Sequence, residues 1–366
     1  MKKPKGLKIG DKVAVVSLSS GILGESFAEH QLKLGSERLT KLGLVPVFMP
    51  HALKGMDALD KYPEWRAEDL KEAFRDTSIK GIVCAIGGDD TYRLLPYLME
   101  DDEFIENVKS SPKLFTGFSD TTVNHLMFHR LGMTSFYGPN FLNDFAELGS
   151  ELLPYTRTIV KGLFAGHELD GVPKSDTWYE ERIDFSEGAL GKDRKSHIEE
   201  NGFEVLQGEG HVTGKLLGGC LESLVECLTG ERYKEQAEVI KKFNIFPSLD
   251  EWKNTLLFIE TSEERPSPDK FREMLNILKK YGLFDVTNGV LVGKPQNEVY
   301  YEEYKSVLVE VVEDKTLPIL YNLPFGHAYP RCLLPYGIET TLDIENKSVT
   351  FNESYFKNKG SEVKID

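Results

Sequence analysis

The sequence predicts an α/β protein with a mainly parallel sheet in its N-terminal part and a smaller, mixed α+β part after it. Short β-branched runs alternate with helical patterns in the first half, which is typical of a doubly wound parallel sheet. Residues 81–86 are apolar throughout, as expected for a strand that helices cover on both faces. The chain has 366 residues, which is long for one compact core, so we expect two domains.

The elements of the first half follow one another in strand–helix order. Strands are predicted at residues 13–18, 44–49, 81–86 and 113–118, where apolar residues cluster between turn signals. Helices are predicted at residues 27–42, from Pro63 onward, and at residues 121–131 and 155–164. Pro63 fits the first turn of a helix, because the N–H that proline lacks has no partner there in any case.

The second half begins after a change in character. Between residues 171 and 208 charged residues, glycine and serine dominate and apolar periodicity fades, which indicates a linker or a functional excursion. Helices are then predicted at residues 220–228 and 269–281, strands at 255–259, 289–292 and 317–323, and a closing hairpin at 340–351. We therefore divide the chain into an N-terminal domain (1–170), the excursion (171–208) and a C-terminal domain (209–366).

Composition and charge argue against several classes of function. Lysine and arginine number 44 against 59 acidic residues, and the formal net charge of −15 argues against binding a nucleic-acid polymer or an anionic membrane. The chain shows no signal peptide and no apolar run long enough for a membrane span, so we expect a cytoplasmic protein. The four cysteines form no C-x-x-C pair, which argues against a disulfide scaffold and a cysteine-rich zinc site.

Residues 116–121, Thr-Gly-Phe-Ser-Asp-Thr, stand between a predicted strand and a predicted helix. Ser119 therefore lies at the carboxyl edge of the sheet, where open α/β sheets bind their ligands. A serine in such a strand–turn–helix is similar to the nucleophile of a G-x-S-x-G elbow, although Thr121 replaces the last glycine. The alternative is that Ser119 or Asp120 only caps the helix.

A second turn, Gly87-Gly88-Asp89-Asp90, also follows a buried strand and precedes a helix. Paired glycines let the backbone approach a ligand without a Cβ in the way. Since both turns lie at the same edge of one sheet, these N–H groups could line an oxyanion site that faces Ser119. The alternative is a tight turn in which Asp89 or Asp90 caps the next helix. We expect no metal here, because the two acids have no partner cluster of histidine or aspartate nearby.

His327 stands between a glycine and an alanine, just after the predicted strand at 317–323. A histidine in that setting is positioned rather than packed, and it could be the base that a serine nucleophile needs. Glu260 ends the apolar strand that begins at residue 255, and it could orient His327 if the two strands are neighbours. The alternatives are a histidine that hydrogen-bonds within its loop and an exposed acid at a strand end.

Four short motifs in this order resemble the serine peptidase family that contains LD-carboxypeptidases and microcin C immunity peptidases. They are Gly-Gly-Asp-Asp at 87–90, Gly-Phe-Ser-Asp at 117–120, Phe-Ile-Glu-Thr at 258–261 and Gly-His at 326–327. The opening segment at 7–17 is similar to that family's first strand, and the resemblance extends to about residue 340. It implies a flavodoxin-like N-terminal domain, a smaller C-terminal domain, an active site between them, and a homodimer.

On the matching motifs, the resemblance implies a catalytic triad of Ser119, Glu260 and His327. It also implies that the N–H groups of Gly88 and Asp120 form the oxyanion hole. The reaction would be amide hydrolysis through an acyl-enzyme, which needs neither a metal nor an organic cofactor. Because His327 must be neutral to accept a proton, activity is expected to fall at acid pH.

Two substrate classes stay open within the family. LD-carboxypeptidases remove a D-residue from murein tetrapeptides, whereas immunity peptidases cleave the amide between a peptide or amino acid and a modified nucleotide. Residues 175–181 favour the second class, because they resemble the segment that presents a tryptophan to adenine. Trp178 would then stack on the base, with Asp89 and Arg331 as further substrate-binding residues. The alternative is that Trp178 only packs its loop. A hypothesis from another class is a non-catalytic protein that binds a small ligand between its domains.

Overall fold

The computed structural model describes residues 1–357. Its strands are β1 (Lys12–Val16), β2 (Val45–Phe48), β3 (Ile79–Cys84), β4 (Leu114–Gly117), β5 (Phe136–Tyr137), β6 (Thr177–Tyr179), β7 (Ser196–Ile198), β8 (Glu204–Gln207), β9 (His211–Cys220), β10 (Thr255–Glu260), β11 (Gly289–Gly293), β12 (Ile319–Leu323), β13 (Leu334–Pro335), β14 (Glu339–Asp343) and β15 (Ser348–Phe351). Its α-helices are α1 (Glu29–Lys41), α2 (Met56–Lys61), α3 (Pro63–Arg75), α4 (Leu95–Met99), α5 (Asp102–Ser110), α6 (Thr122–Arg130), α7 (Pro154–Lys161), α8 (Leu221–Thr229), α9 (Lys234–Lys242), α10 (Leu249–Trp252), α11 (Pro268–Tyr281), α12 (Leu283–Val286) and α13 (Tyr301–Val312). No helix in this part of the chain has both the length and the apolar character needed to cross a membrane.

The first sheet has the strand order β13-β5-β4-β3-β1-β2. Strands β1 to β5 pair in parallel, which confirms the mainly parallel sheet predicted for the first half. In β1 every residue after Lys12 is buried, as expected for a strand inside such a sheet. The edge strand β13 lies almost 200 residues after β5 in the chain, and the two strands pair antiparallel.

The second sheet has the strand order β15-β14-β9-β10-β11-β12-β8. Strands β9 to β12 are parallel, whereas β8 and β14 run antiparallel to their neighbours. The mixed character predicted for the second half is therefore confirmed. The predicted closing hairpin is formed by β14 and β15.

The ten-residue strand β9 is not predicted by the sequence, because Gly214, Gly218 and Gly219 lower its strand propensity. The structure shows why two of these glycines are needed. A Cβ at Gly218 would overlap the backbone of Phe258 in β10, and one at Gly219 would overlap the side chain of Thr122 in α6. The missing side chains therefore let β9 approach both neighbours closely.

The segment 171–208 folds against the rest of the protein. It contains the antiparallel pair of β6 and β7. Arg182 and Arg194 form ion pairs with the buried carboxylate of Glu147. Further along, the buried Nζ of Lys294 donates to Glu199 at 2.9 Å. These charged contacts attach the segment to the body at more than one point.

Candidate active site

Ser119 lies in the turn that connects β4 to α6. Its φ of 69° falls in the left-handed region, which is energetically costly for any residue other than glycine. Residues in this conformation cluster at functional sites. Neither the turn nor α6 has a side-chain cap, so the capping interpretation of Ser119 and Asp120 is wrong. The Ser119 side chain is half-buried and lines a cleft.

Glu260 and His327 form a buried hydrogen-bonded pair. Nδ1 of His327 lies 2.7 Å from Oε2 of Glu260, and the His327 backbone N–H donates to the same oxygen at 3.0 Å. Their strands, β10 and β12, are not neighbours, because β11 lies between them. Gly293 at the end of β11 and Gly326 leave the space that this contact needs, since a Cβ at either position would overlap the Glu260 side chain.

Tyr137 connects the Ser119 turn to this pair. Its buried hydroxyl accepts the Ser119 N–H at 3.1 Å and donates to Oε1 of Glu260 at 2.5 Å. The ring of Phe118 also packs edge-on against the His327 ring, with centroids 5.0 Å apart. These contacts place the Ser119 turn next to the pair of Glu260 and His327, and the triad itself, with a hydrogen bond between Ser119 and His327, stays a prediction. Sequence reasoning missed Tyr137, because the sequence predicts no strand at residues 136–137 and no local pattern marks this hydroxyl.

The other ring nitrogen of His327, Nε2, faces a second carboxylate that sequence reasoning also missed. Oε2 of Glu263 lies 3.0 Å from it, and the Glu263 side chain is 65% exposed. Burial opposes the charged imidazolium, but Glu260 and Glu263 outweigh it and raise the pKa of His327 to about 10. The hydrogen bond to His327 lowers the pKa of Glu263 to about 2. His327 is therefore an imidazolium held between two carboxylates.

The Gly87-Gly88 turn lies directly against Ser119. A Cβ at Gly87 would lie 2.7 Å from Cβ and 2.9 Å from Oγ of Ser119, so a larger residue would push the serine aside. The buried carboxylate of Asp120 accepts the N–H of Thr91 at 2.9 Å and so ties the two turns together. Burial raises the pKa of Asp120 to about 6. Gly88 and Asp120 both line the cleft, and the role of their N–H groups stays a prediction.

The cleft beside Ser119 has a volume of about 380 Å³ and an acidic lining. Its acidic residues are Asp89, Asp120, Glu222, Glu226, Glu231, Glu263 and Glu264, and its cations are Arg232 and Lys270. Arg232 pairs with Asp89 at 3.4 Å and with Glu264 at 2.7 Å. Lys270 pairs with Glu231 at 3.0 Å. Carboxylates therefore outnumber cations, and both cations already have protein partners.

Trp178 and Arg331 lie outside the residues that line this cleft. The Trp178 side chain is mostly buried and stacks on His197 with ring centroids 4.2 Å apart. Arg331 is buried, and it donates to the Asp144 carboxylate and to the backbone carbonyl of His327, each at 3.0 Å. In this structure Trp178 packs its loop and Arg331 holds the loop that carries His327. Substrate contact for either residue stays a prediction.

Cys220, Glu260 and His327 also present possible metal ligands, with atoms within 4.8 Å of one another. Both oxygens of Glu260 are engaged, one by Tyr137 and the other by His327. These hydrogen bonds account for the arrangement without an ion.

Comparison with known proteins shows to which family the chain belongs. Residues 13–138 match the LD-carboxypeptidase N-terminal domain, and residues 213–342 match the LD-carboxypeptidase C-terminal domain. The crystal structure of an MccF-like protein from Streptococcus pneumoniae, in complex with AMP, is 48% identical, with a TM-score of 0.90 over 94% of this chain and 99% of that chain. The chain belongs to the LD-carboxypeptidase family.

Other LD-carboxypeptidase family members are similar over most of their length. The probable murein peptide carboxypeptidase of Bacillus subtilis is 29% identical, covering 94% of this chain and 93% of its own. The microcin C7 self-immunity protein MccF of Escherichia coli is 27% identical, covering 79% of this chain and 78% of its own. MccF in complex with aspartyl sulfamoyl adenosine aligns at 25% identity with a TM-score of 0.79, over 98% of this chain and 100% of that chain. The predicted family and mixed α/β fold are confirmed, and the chain is a peptidase by family.

Proposed function

We propose that the protein is a serine hydrolase that cleaves the amide between an amino acid or peptide and a modified nucleotide. The observation that carries this proposal is the chain of hydrogen bonds from the Ser119 turn through Tyr137 to Glu260 and His327. A strained serine at a sheet edge, and a histidine that a buried carboxylate orients and that packs against the residue before this serine, support acyl transfer.

In the proposed reaction, Oγ of Ser119 attacks the amide carbonyl and Nε2 of His327 takes the hydroxyl proton. Glu260 stabilises the resulting imidazolium through Nδ1. The N–H groups of Gly88 and Asp120 stabilise the oxyanion, a contribution of about 3 kcal/mol per donor. His327 then protonates the leaving nitrogen as the C–N bond breaks. Water, deprotonated by His327, hydrolyses the acyl-enzyme and releases the acid.

The nucleotide part of the proposal is supported by the relatives. The 48% identical MccF-like protein was solved with AMP, and MccF with aspartyl sulfamoyl adenosine. One face of the Trp178 ring is stacked on His197, so a base would stack on the opposite face or displace the histidine. Asp89 at the cleft and a homodimer stay predictions.

Incubation with aspartyl sulfamoyl adenosine is expected to release aspartate and sulfamoyl adenosine, detected by mass spectrometry. Murein tetrapeptide, incubated in parallel, is expected to stay intact. The second candidate function, murein tetrapeptide carboxypeptidase, is favoured by the similarity to the Bacillus subtilis protein over 94% of this chain. Loss of the terminal D-residue from the tetrapeptide, with the nucleotide compound untouched, would establish that candidate instead.

Activity is expected to depend on pH through His327, which must be neutral to act as base. Since the pKa of His327 is raised to about 10, kcat/KM should rise with pH toward that value. Glu263→Gln removes one of the charges that raise this pKa, so the midpoint should move to lower pH.

The matched control is Glu264→Gln, which removes a neighbouring cleft carboxylate that pairs with Arg232 instead. Its kcat/KM midpoint should stay near the wild-type value. An unchanged midpoint in Glu263→Gln would show that Glu263 does not contact Nε2 in the working enzyme.

A further inference from the structure

Glu263 contacts Nε2 of His327, the atom that accepts the serine proton in the proposed mechanism. Nε2 must face Oγ of Ser119 to accept its proton, yet in this structure it lies 3.0 Å from Oε2 of Glu263. The mechanism therefore requires Glu263 to leave Nε2 when substrate binds. The Glu263 side chain is free to move, because it is exposed and lies just after the end of β10.

Among the described residues that line the cleft, no cation is free to pair with the released carboxylate of Glu263. Arg232 is shared between Asp89 and Glu264, and Lys270 is held by Glu231. The lining is acidic overall, so a free negative charge here adds to existing repulsion. A positively charged group on the substrate would pair with the Glu263 carboxylate and so offset this repulsion.

An aminoacyl substrate carries such a group next to the reacting bond. Its α-ammonium nitrogen is one Cα away from the reacting carbonyl carbon, at about 2.5 Å. In an attack geometry that carbon lies about 3 Å from Oγ of Ser119, which is itself within hydrogen-bond reach of Nε2. The ammonium group therefore lies at most about 9 Å from Nε2, within the range that the exposed side chain of Glu263 can reach.

We propose that Glu263 is a specificity-determining residue that binds the free α-ammonium group of the substrate, exchanging its contact with His327 for one with the ligand. This inference rests on the proposed function. When Glu263 leaves, the imidazolium loses a neighbouring negative charge and releases its Nε2 proton to water. The base is thus freed by substrates with an unblocked amino group, and N-blocked substrates leave Glu263 in place.

The test compares aspartyl sulfamoyl adenosine with its N-acetyl derivative, with kcat and KM measured separately for the wild type, Glu263→Gln and Glu264→Gln. We expect the wild type to favour the free amine in kcat/KM by about tenfold or more, the range of a charge-assisted hydrogen bond. Glu263→Gln should lose most of that preference when each protein is assayed at a pH above its own kcat/KM midpoint. Glu264→Gln should keep the preference, because Arg232 retains Asp89 as its partner in that variant.

The outcomes separate this inference from the proposed function. Equal kcat/KM for both compounds in the wild type, or an undiminished preference in Glu263→Gln, overturns the role of Glu263 and leaves the hydrolase intact. Hydrolysis of neither compound overturns both. Calorimetric binding of the two compounds to Ser119→Ala, with and without Glu263→Gln, should show the same loss of preference in Kd.

Discussion

Ser119→Ala is expected to lower kcat for aspartyl sulfamoyl adenosine by on the order of 10⁴-fold or more, with a much smaller change in KM. The hydroxyl forms a covalent bond in the transition state, and the members of a triad act as one unit, so removing one member removes most of their joint effect. The residual rate comes from binding and the oxyanion donors. Initial rates of sulfamoyl adenosine release, followed by mass spectrometry, measure the change.

A fluorophosphonate probe provides a second readout that needs no substrate. It is expected to label the wild type and to leave Ser119→Ala unlabelled. Ser223→Ala is the matched control, because Ser223 lines the same cleft and donates to the Ser119 carbonyl at 3.5 Å. That variant should still be labelled. An unlabelled wild type, together with unchanged ligand binding by Ser119→Ala, would instead support a non-catalytic binding protein.

Arg331→Met is expected to lower the free energy of unfolding by about 3–5 kcal/mol. The guanidinium is buried, pairs with the equally buried Asp144 at 3.0 Å and lies 3.7 Å from the centroid of the Tyr329 ring. Without the guanidinium, the Asp144 carboxylate stays buried and loses its ion-pair partner. Urea denaturation followed by circular dichroism measures the loss.

The matched control for this loss is Arg157→Met. Arg157 is half-exposed and pairs with Glu151 at 3.4 Å on the surface, where an ion pair contributes about 1 kcal/mol or less. A similar loss in both variants would show that the pair of Arg331 and Asp144 is not a buried ion pair in solution.

Most strands of the first sheet and the positions of the key site residues could be predicted from the sequence, because strand patterns and strand ends are local signals. Ser119 and Glu260 each stand at the end of an apolar strand, and His327 follows one within a few residues. Strand ends within one parallel sheet meet at one edge, which relates Glu260 to His327 in the second sheet, whereas Ser119 follows a strand of the first sheet. The three residues could be grouped before any coordinates only through the resemblance of their motifs to the family.

The connections within the site could not be predicted in the same way. Tyr137 and Glu260 are 123 residues apart, and nothing local to Phe136-Tyr137 indicates that the hydroxyl bridges two parts of the site. The contact between Glu263 and Nε2 depends on the three-dimensional path of the loop after β10. The contact between Glu260 and His327 was expected on the condition that their strands are neighbours. β11 lies between the two strands, and the contact forms nevertheless, because Gly293 leaves space for the Glu260 side chain.

The pairing of β13 with β5 has a consequence for how the protein is made. The first sheet recruits Leu334–Pro335, which leave the ribosome long after the other five strands of that sheet. Until then the nascent chain presents the edge of β5 without its final partner, and unpaired edges are where strands of other chains attach. Biogenesis therefore includes a vulnerable interval that ends only after Leu334–Pro335 have been synthesised and have paired with β5.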